Sequence, residues 1–552
     1  MTLEGFKPHD PEAAQLYLEK GWWLGLTMGD IFDKTCDLYP EKEALVGSGQ
    51  RYTYQELRQR VDQLAYAFLE QGLRPGDRVL LQLPNWPEFI ISYFAIQKAG
   101  LIMVLLTVNH TAQEISHLAK LSQPRGWIVP SAYKKTEYTE LIGKVRESNP
   151  ELEKVMVMGR PPSGCLDLVE LMNGSADQDE VRSALDQARP SPFEVCQILP
   201  SGGTTGLPKG APRTHNDYIC NVEYTSRAWF LNPSDTCLVG TTVGHNLALL
   251  VTVTGAVLHG AKIVLIDSTR PETILQAVQE ERVTCTGLVP TLISRVVNYE
   301  GLDDFDVSSL RRIYVGAANS PAEIVKLTEE KLGCRYINAF GMVEGPCAQT
   351  RPYHQLQVRS GTIGLPVCPY DQIITLDPLG EPTPKGVEGE LAAKGPGIFT
   401  GYFKNPQANA SSFTPDGFFR TGDLAVIDQN GFIRITDRIK DIIIRGGENI
   451  AARDVEELIS SHPKVEYTAA VCMPDPDLGE AVCAYAKLVN GSKLTYDDLV
   501  AYLKSIGASK TLIPARIEFI TKLPLTAAGK ANKKVLKMDI LEKLRLEAAR
   551  AS

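Results

Sequence analysis

The chain has 552 residues, too many for one compact core, so two or more domains are expected. Hydrophobic residues make up 43% and charged residues 22%, as in ordinary globular proteins, and the formal net charge of −9 argues against a general binder of nucleic acid or anionic membrane. The longest apolar runs, such as Leu101 to Leu106, fall far short of a bilayer span, and the N-terminus lacks the basic start and apolar stretch of a secretion signal.

In chain order, Arg78 to Leu83 reads as a strand ending at Pro84-Asn85, and Pro87 to Ala99 carries apolar residues at helical spacing. Residues 200 to 210 read Pro-Ser-Gly-Gly-Thr-Thr-Gly-Leu-Pro-Lys-Gly. Gly202, Gly203 and Gly206 let the backbone close around a bulky anion, Ser201, Thr204 and Thr205 offer hydroxyl donors, and Lys209 adds a positive charge. This pattern suits a polyphosphate, although the Gly-Lys-Ser/Thr ending of a P-loop is absent, and a solvated glycine-rich turn is the plainer alternative.

Further along, Lys262 to Ile266, Val283 to Val289 and Arg312 to Val315 are short apolar runs, separated by helical patterns at Pro271 to Glu281, Thr291 to Tyr299 and Ala322 to Leu332. Strand–helix alternation predicts layered α/β architecture with largely parallel sheets. Beyond Pro366, turn signals at Pro415-Asp416-Gly417 and Gln429-Asn430-Gly431 punctuate short strands and predict an antiparallel or barrel-like subdomain. After the charged stretch Asp437 to Asp441 comes a compact α+β tail. It has helices at Arg453 to Ser460 and Thr495 to Ser505, and strands at Glu466 to Cys472, Ala481 to Leu488 and Ala515 to Phe519. The 11 cysteines and 8 histidines are scattered, which fits reduced, buried thiols in a cytoplasmic protein better than a zinc site or disulfide frame.

Four more segments join the glycine-rich loop, in a fixed order: Asn338 to Gly345 (Asn-Ala-Phe-Gly-Met-Val-Glu-Gly), Phe419 to Asp423 (Phe-Arg-Thr-Gly-Asp), Thr436 to Glu448 (Thr-Asp-Arg-Ile-Lys-Asp-Ile-Ile-Ile-Arg-Gly-Gly-Glu) and Thr526 to Lys530 (Thr-Ala-Ala-Gly-Lys). Together they resemble the signature motifs of the adenylate-forming superfamily: acyl-CoA synthetases, aryl-acid AMP ligases and peptide-synthetase adenylation domains. The resemblance runs from about residue 20 to about residue 545. It implies a large N-terminal domain of α/β subdomains with a β-barrel-like subdomain (1–439), binding ATP and a carboxylic acid. A small mobile α+β domain (440–552) would be hinged at Lys440.

The implied chemistry has two half-reactions. A carboxylate attacks the α-phosphorus of ATP, giving an acyl-adenylate and pyrophosphate, and a thiol then displaces AMP. Joining two anions makes charge neutralisation and alignment the catalytic problem. By resemblance, Ser201, Gly202, Gly203, Thr204, Thr205, Gly206 and Lys209 hold phosphates and Glu344 helps bind Mg²⁺. Phe340 stacks on adenine with Gly316, Ala317 and Ala318 as the opposite wall, Asn338, Gly341 and Met342 also bind ATP or AMP, and Asp423 and Arg438 take the ribose. Lys530 bridges the two reactants during adenylation only, and Arg445, Gly446, Gly447 and Glu448 replace it to line the path of CoA or a phosphopantetheine arm. Lys530, Glu344, Thr204 and Lys209 are the catalytic candidates.

Pro212-Arg213-Thr214-His215, Gly244-His245-Asn246, Gly21-Trp22-Trp23 and Phe340-Gly341-Met342 resemble stand-alone aryl-acid ligases of the 2,3-dihydroxybenzoate type. The acyl pocket is then expected at His245, Asn246, Leu247, Val251, Gly316 and Val343. The chain departs from that group at Leu247, where the group has an aromatic residue, and at Val251, where it has a serine that holds a ring hydroxyl. An unpaired buried hydroxyl costs about 1–3 kcal/mol, so the expected acid lacks ring hydroxyls and is benzoate-like, alicyclic or medium aliphatic. No carrier domain is expected after Lys530. The first reading is therefore a catabolic acid:CoA ligase, and the alternative loads a separate carrier protein in siderophore-type synthesis. A degenerate member serving as a binding protein, and assembly as a homodimer, stay open.

Overall fold

A computed structural model describes residues 3–201, 207–318, 320–445, 448–475, 478–506, 508–509, 511–526 and 530–551. Two large, mostly parallel sheets form its body. The nine-stranded sheet has a run of six parallel strands at its heart: Arg335–Gly341, Arg312–Val315, Cys285–Leu288, Thr236–Val239, Lys262–Leu265 and Glu43–Gly47, in that spatial order. The seven-stranded sheet is parallel except for its edge strand Lys209–Thr214, which runs antiparallel to Val195–Ser201.

Between the sheets lies the helix Pro87–Lys98, whose residues 87 to 97 are all buried. One core cluster joins its side chains to Val79, Leu81 and Met103 of one sheet and Val239, Ile263 and Leu265 of the other. A helix covered on every side needs apolar residues around its whole circumference, as Phe-Ile-Ile-Ser-Tyr-Phe-Ala-Ile supplies. Predicted helices and strands of this body fall where expected to within a few residues, for example Pro271–Glu280 and Ala322–Leu332.

The subdomain expected to be barrel-like is a four-stranded antiparallel sheet, Gln372–Leu376, Glu388–Lys394, Phe419–Ile427 and Ile433–Arg438 in spatial order. Both predicted turns close as drawn, with Gly417 N–H on Thr414 O and Gly431 N–H on Asp428 O at 3.0 Å each. The smaller C-terminal domain is a five-stranded sheet built from Ile442–Arg445, Glu448–Ala451, Val465–Asp475, Gly479–Leu488 and Arg516–Phe519. Helices Ala452–Ser460 and Tyr496–Ser505 pack one core, and Leu536 and Ile540 of the helix Lys533–Ala551 pack another. That last helix and the first hairpin of the domain were not anticipated from the sequence.

Candidate active site

Ser201 and Lys209, at the two ends of the glycine-rich motif, face each other as the last cross-strand pair of the strands Val195–Ser201 and Lys209–Thr214. Gly202, Gly203, Thr204, Thr205 and Gly206 lie outside the described residues. Lys209 projects over the ring of Tyr402, its Nζ 3.9 Å from the centroid. The Tyr402 hydroxyl donates to Glu344 Oε1 at 2.7 Å. Burial raises the Glu344 carboxyl above its ordinary range, against the pull of Tyr402 and Lys209. Burial likewise lowers the Lys209 ammonium, and the Glu344 charge opposes that.

Behind Glu344 is a frame of buried polar groups. Arg213, with no solvent exposure, donates from Nε to Asp217 Oδ1 (2.6 Å), from Nη1 to Val343 O (2.9 Å), and from Nη2 to Gly397 O (2.8 Å) and Asp217 O (3.2 Å). Asn221, one turn beyond Asp217, donates to Gly345 O and Gly397 O. Phe399 N–H donates to Glu344 O at 2.8 Å. Arg213 and Asn221 thus hold the carbonyls on both sides of Glu344. Asp371 accepts from Gly397 N–H, and burial pushes its carboxyl up to about 7.

In the antiparallel sheet Asp423 and Arg438 are direct cross-strand partners, and Arg438 Nε donates to Asp423 Oδ1 at 2.8 Å. Asp423 Oδ2 is buried and has no hydrogen-bond partner among the described residues. An orphaned buried acceptor is costly, so this oxygen is fitted to receive a ligand hydroxyl. Phe340 is half-buried against Ala348 and Ile433, and Gly341 is exposed. Ala317 holds φ +72, a conformation rare outside glycine that persists only where surroundings impose it. Met342 and Val343 pack against the Phe399–Tyr402 cluster, and Ala318 is exposed. Asn338 is a structural tie, donating from Nδ2 to Thr362 O and from its backbone to Thr350 Oγ1.

The expected acyl pocket gathers at a break in helical geometry. His245 caps the short helix Asn246–Ala248 through Nδ1, which accepts from Leu247 N–H at 3.2 Å. The chain then widens into a π-helix, Leu249–Thr254, carrying the 2%-exposed Val251, before resuming as Gly255–Leu258. Such insertions recur at functional sites because they re-aim side chains. Asn246 Oδ1 accepts from Tyr218 Oη at 2.9 Å. The two Leu247 methyls fill the space beside Gly316 and Gly287, 3.3 and 3.4 Å from where a Cβ would stand. Gly244 has to be glycine, since a Cβ there would meet Leu106 O at 2.5 Å. Burial pushes His245 down to about 4, and the nearby Lys530 ammonium adds to that shift, so the imidazole is neutral at pH 7.

The charge of Lys530, in the C-terminal domain, is therefore felt at His245 beside the expected acyl pocket. Lys530 is held by a two-way contact with Thr526: Thr526 N–H donates to Lys530 O (2.7 Å) and Lys530 N–H donates to Thr526 Oγ1 (3.2 Å). Lys440 lies in the 3₁₀ turn Ile439–Asp441. Arg445 and Glu448 are paired across two strands, and Gly446 and Gly447 lie outside the described residues. Among the described residues no three histidine, cysteine or carboxylate groups cluster to hold a metal alone. A divalent ion would have to share Glu344 with phosphate oxygens. That is how Mg²⁺, which keeps few protein ligands, is usually bound, so the residues present fit it.

The sequence reading missed Tyr402, Asn221 and Tyr218, and took Arg213 only as part of a motif. No local signal marks Tyr402, Asn221 or Tyr218, whose partners Glu344, Gly345 and Asn246 lie 58, 124 and 28 positions away.

Residues 32–403 match the family model described as AMP-binding enzyme, and residues 454–530 match the AMP-binding enzyme C-terminal domain. A salicylyl-CoA synthase / salicylate adenylyltransferase from a Streptomyces species is 35% identical over 97% of this chain and 98% of its own. The 2,3-dihydroxybenzoate-AMP ligase of Bacillus subtilis is 34% identical (98% and 99% covered). The salicyl-AMP ligase / salicyl-S-ArCP synthetase of Mycobacterium tuberculosis is also 34% identical (97% and 94% covered). Among solved structures, apo MbtA of Mycobacterium smegmatis is similar with a TM-score of 0.75 and 34% identity, over 97% of this chain and 99% of that one. The chain belongs to the AMP-binding enzyme family and is an adenylate-forming ligase.

Proposed function

We propose that the protein activates an aryl carboxylic acid as its acyl-adenylate and transfers the acyl group to the phosphopantetheine thiol of a separate carrier protein. The observation that carries this is the joined set of Lys209, Tyr402 and Glu344 together with the Asp423–Arg438 pair and its unfilled Oδ2, and the charge of Lys530 from the small domain acting on His245. A cation at that place can neutralise both anions as the carboxylate oxygen bonds to the α-phosphorus and pyrophosphate leaves. Asp423 Oδ2 accepts a ribose hydroxyl, and Arg438 fixes that carboxylate. Glu344 would hold Mg²⁺, which supplies charge neutralisation at the phosphates when bound. The neutral His245 keeps a second cation away from the carboxylate that Lys530 meets. Lys440 is the proposed pivot that later withdraws Lys530 and brings Arg445 and Glu448 toward the acyl carbon, where the thiol attacks and AMP departs.

The relatives' names favour aryl acids over the aliphatic or alicyclic acids expected from Leu247, and carrier loading over CoA. Asn246, its Oδ1 already taken by Tyr218, keeps its amide N–H groups for an oxygen beside the carboxylate, as in salicylate. Val251 offers a second ring hydroxyl nothing, so salicylate-like or unsubstituted aryl acids fit best. CoA as acceptor is the second reading, supported by the Streptomyces relative named as a CoA synthase. Intact-mass spectrometry of a phosphopantetheinylated aryl carrier protein, run beside free CoA, decides between them. Faster acylation of the carrier is expected, and acyl-CoA with no acyl-carrier would overturn the reading.

A further inference from the structure

Tyr402 touches both charged groups of the phosphate end, yet no motif reading assigns it a role. Its ring lies 3.9 Å from the Lys209 ammonium and its hydroxyl donates to Glu344 Oε1 at 2.7 Å. Its backbone is clamped. Tyr402 N–H donates to Asn409 Oδ1 (2.7 Å), and Asn409 Nδ2 returns a bond to Tyr402 O (3.0 Å). The next residue, Phe403, donates to Gly210 O at 2.9 Å, tying the segment to the strand that begins with Lys209. Gly401 permits this clamp: it holds φ +150, and a Cβ there would press the Asn409 side chain at 3.1 Å. Tyr402 is 5% exposed, and its ring packs edge-on against Phe399.

We propose that Tyr402 is a positioning residue that locks Lys209 and Glu344 into one preformed unit, so that the phosphate cation and the metal-binding carboxylate meet the nucleotide already aligned. The ring face satisfies the ammonium without neutralising it, as an acidic partner would. The hydroxyl occupies one carboxylate oxygen and orients the other. Outer groups that orient a metal-binding carboxylate commonly matter 10- to 100-fold in metal affinity. The proposal rests on the reading that Glu344 meets a nucleotide-bound metal ion, so its test includes Glu344 itself.

Mn²⁺, in place of Mg²⁺, is titrated by electron paramagnetic resonance into the full-length protein saturated with α,β-methylene-ATP. Tyr402→Phe keeps the ring and should raise the Mn²⁺ dissociation constant about tenfold. In the Glu344→Gln background the same change should have no further effect. Metal-free binding of the analogue, read by calorimetry, should change less than twofold in Tyr402→Phe and weaken roughly three- to tenfold in Tyr402→Leu, which also loses the cation–ring contact. Asn409→Ala, which loosens the clamp without touching either charge, should weaken Mn²⁺ binding too and stands in if Tyr402→Phe does not fold. Wild-type Mn²⁺ affinity in Tyr402→Phe or Asn409→Ala, beside a weakened Glu344→Gln, overturns the positioning role while Glu344 keeps its own. Additive losses in the double variant, or unchanged analogue binding in Tyr402→Leu, also overturn it. An unchanged Glu344→Gln removes the underlying reading instead.

Discussion

Replacing Arg213 by methionine tests whether the carbonyls flanking Glu344 are held by a buried charge. Arg213 has no solvent exposure, and four hydrogen bonds leave its guanidinium, three of them to the main-chain oxygens of Val343, Gly397 and Asp217. Its partner Asp217 is also buried and accepts from Thr214 and His9. Burial alone would raise the Asp217 carboxyl, but Arg213 and His9 outweigh it and hold it below its ordinary range. Arg213→Met strands that carboxylate, at about 3–5 kcal/mol. The Val343 carbonyl, left without its donor, adds about 1 kcal/mol at the low end, while Gly397 O keeps its bond from Asn221. At about 2–4 °C per kcal/mol, the transition that reports this region should drop by roughly 10 °C or more. A chain with several cores need not unfold in one step, so the tryptophan fluorescence melt, to which the adjacent Trp23 contributes, is the appropriate assay. Arg213→Met/Asp217→Leu should be more stable than Arg213→Met alone, because no charge is then stranded. A shift under about 3 °C in the single variant, or a double variant that falls by the sum of the two, would refute the reasoning.

Three other outcomes follow from the same geometry. Lys530→Ala should cut adenylation about 100-fold or more yet leave thioester formation from a supplied acyl-adenylate within a few-fold of wild type, as separate half-reaction assays would show; equal losses would count against a lysine used in one conformation. Val251→Ser should narrow the kcat/KM gap between 2,3-dihydroxybenzoate and salicylate by about tenfold, since it offers the second hydroxyl a partner, and an unchanged ratio would place that hydroxyl elsewhere. Asp371 is held neutral in the folded protein up to about pH 7 while an unfolded carboxyl ionises near 4. The folded state therefore binds the extra proton, and wild-type stability falls as pH rises through that window, by up to about 1.4 kcal/mol per unit. Asp371→Asn should gain on wild type in melting temperature from pH 4.5 to 7 and keep a constant offset above about 7.5; parallel curves would mean an ionised Asp371.

Much of the site was legible because its residues recur at motif spacings that name their own chemistry. Ser201 and Lys209, which bound the Gly-Thr-rich motif, are cross-strand partners, and so are Asp423 and Arg438, read from two separate motifs. Helices with clear apolar spacing, such as Ala322–Leu332, were found to the residue. What escaped depends on long-range partners. Tyr402 and Glu344 are 58 positions apart, and Arg213 and Gly397 are 184 apart, so neither pair leaves a periodic trace. The π-helix at Leu249–Thr254 shifts Val251 relative to Leu247, a shift that an apolar run without a breaker does not announce. The helix Lys533–Ala551 escaped for a related reason: its apolar residues are divided between a buried pair, Leu536 and Ile540, and exposed Val535, Met538 and Leu541.

The central claim, that this pocket adenylates an aryl acid, is tested most directly by ATP–pyrophosphate exchange in the absence of any thiol. Salicylate, benzoate, 2,3-dihydroxybenzoate, cyclohexanecarboxylate and hexanoate are each supplied with ATP and Mg²⁺. The account predicts exchange at least tenfold above the acid-free control for salicylate and benzoate, with hexanoate the weakest substrate. Exchange that is driven by hexanoate or cyclohexanecarboxylate and not by any aryl acid, or that no acid supports, would contradict it.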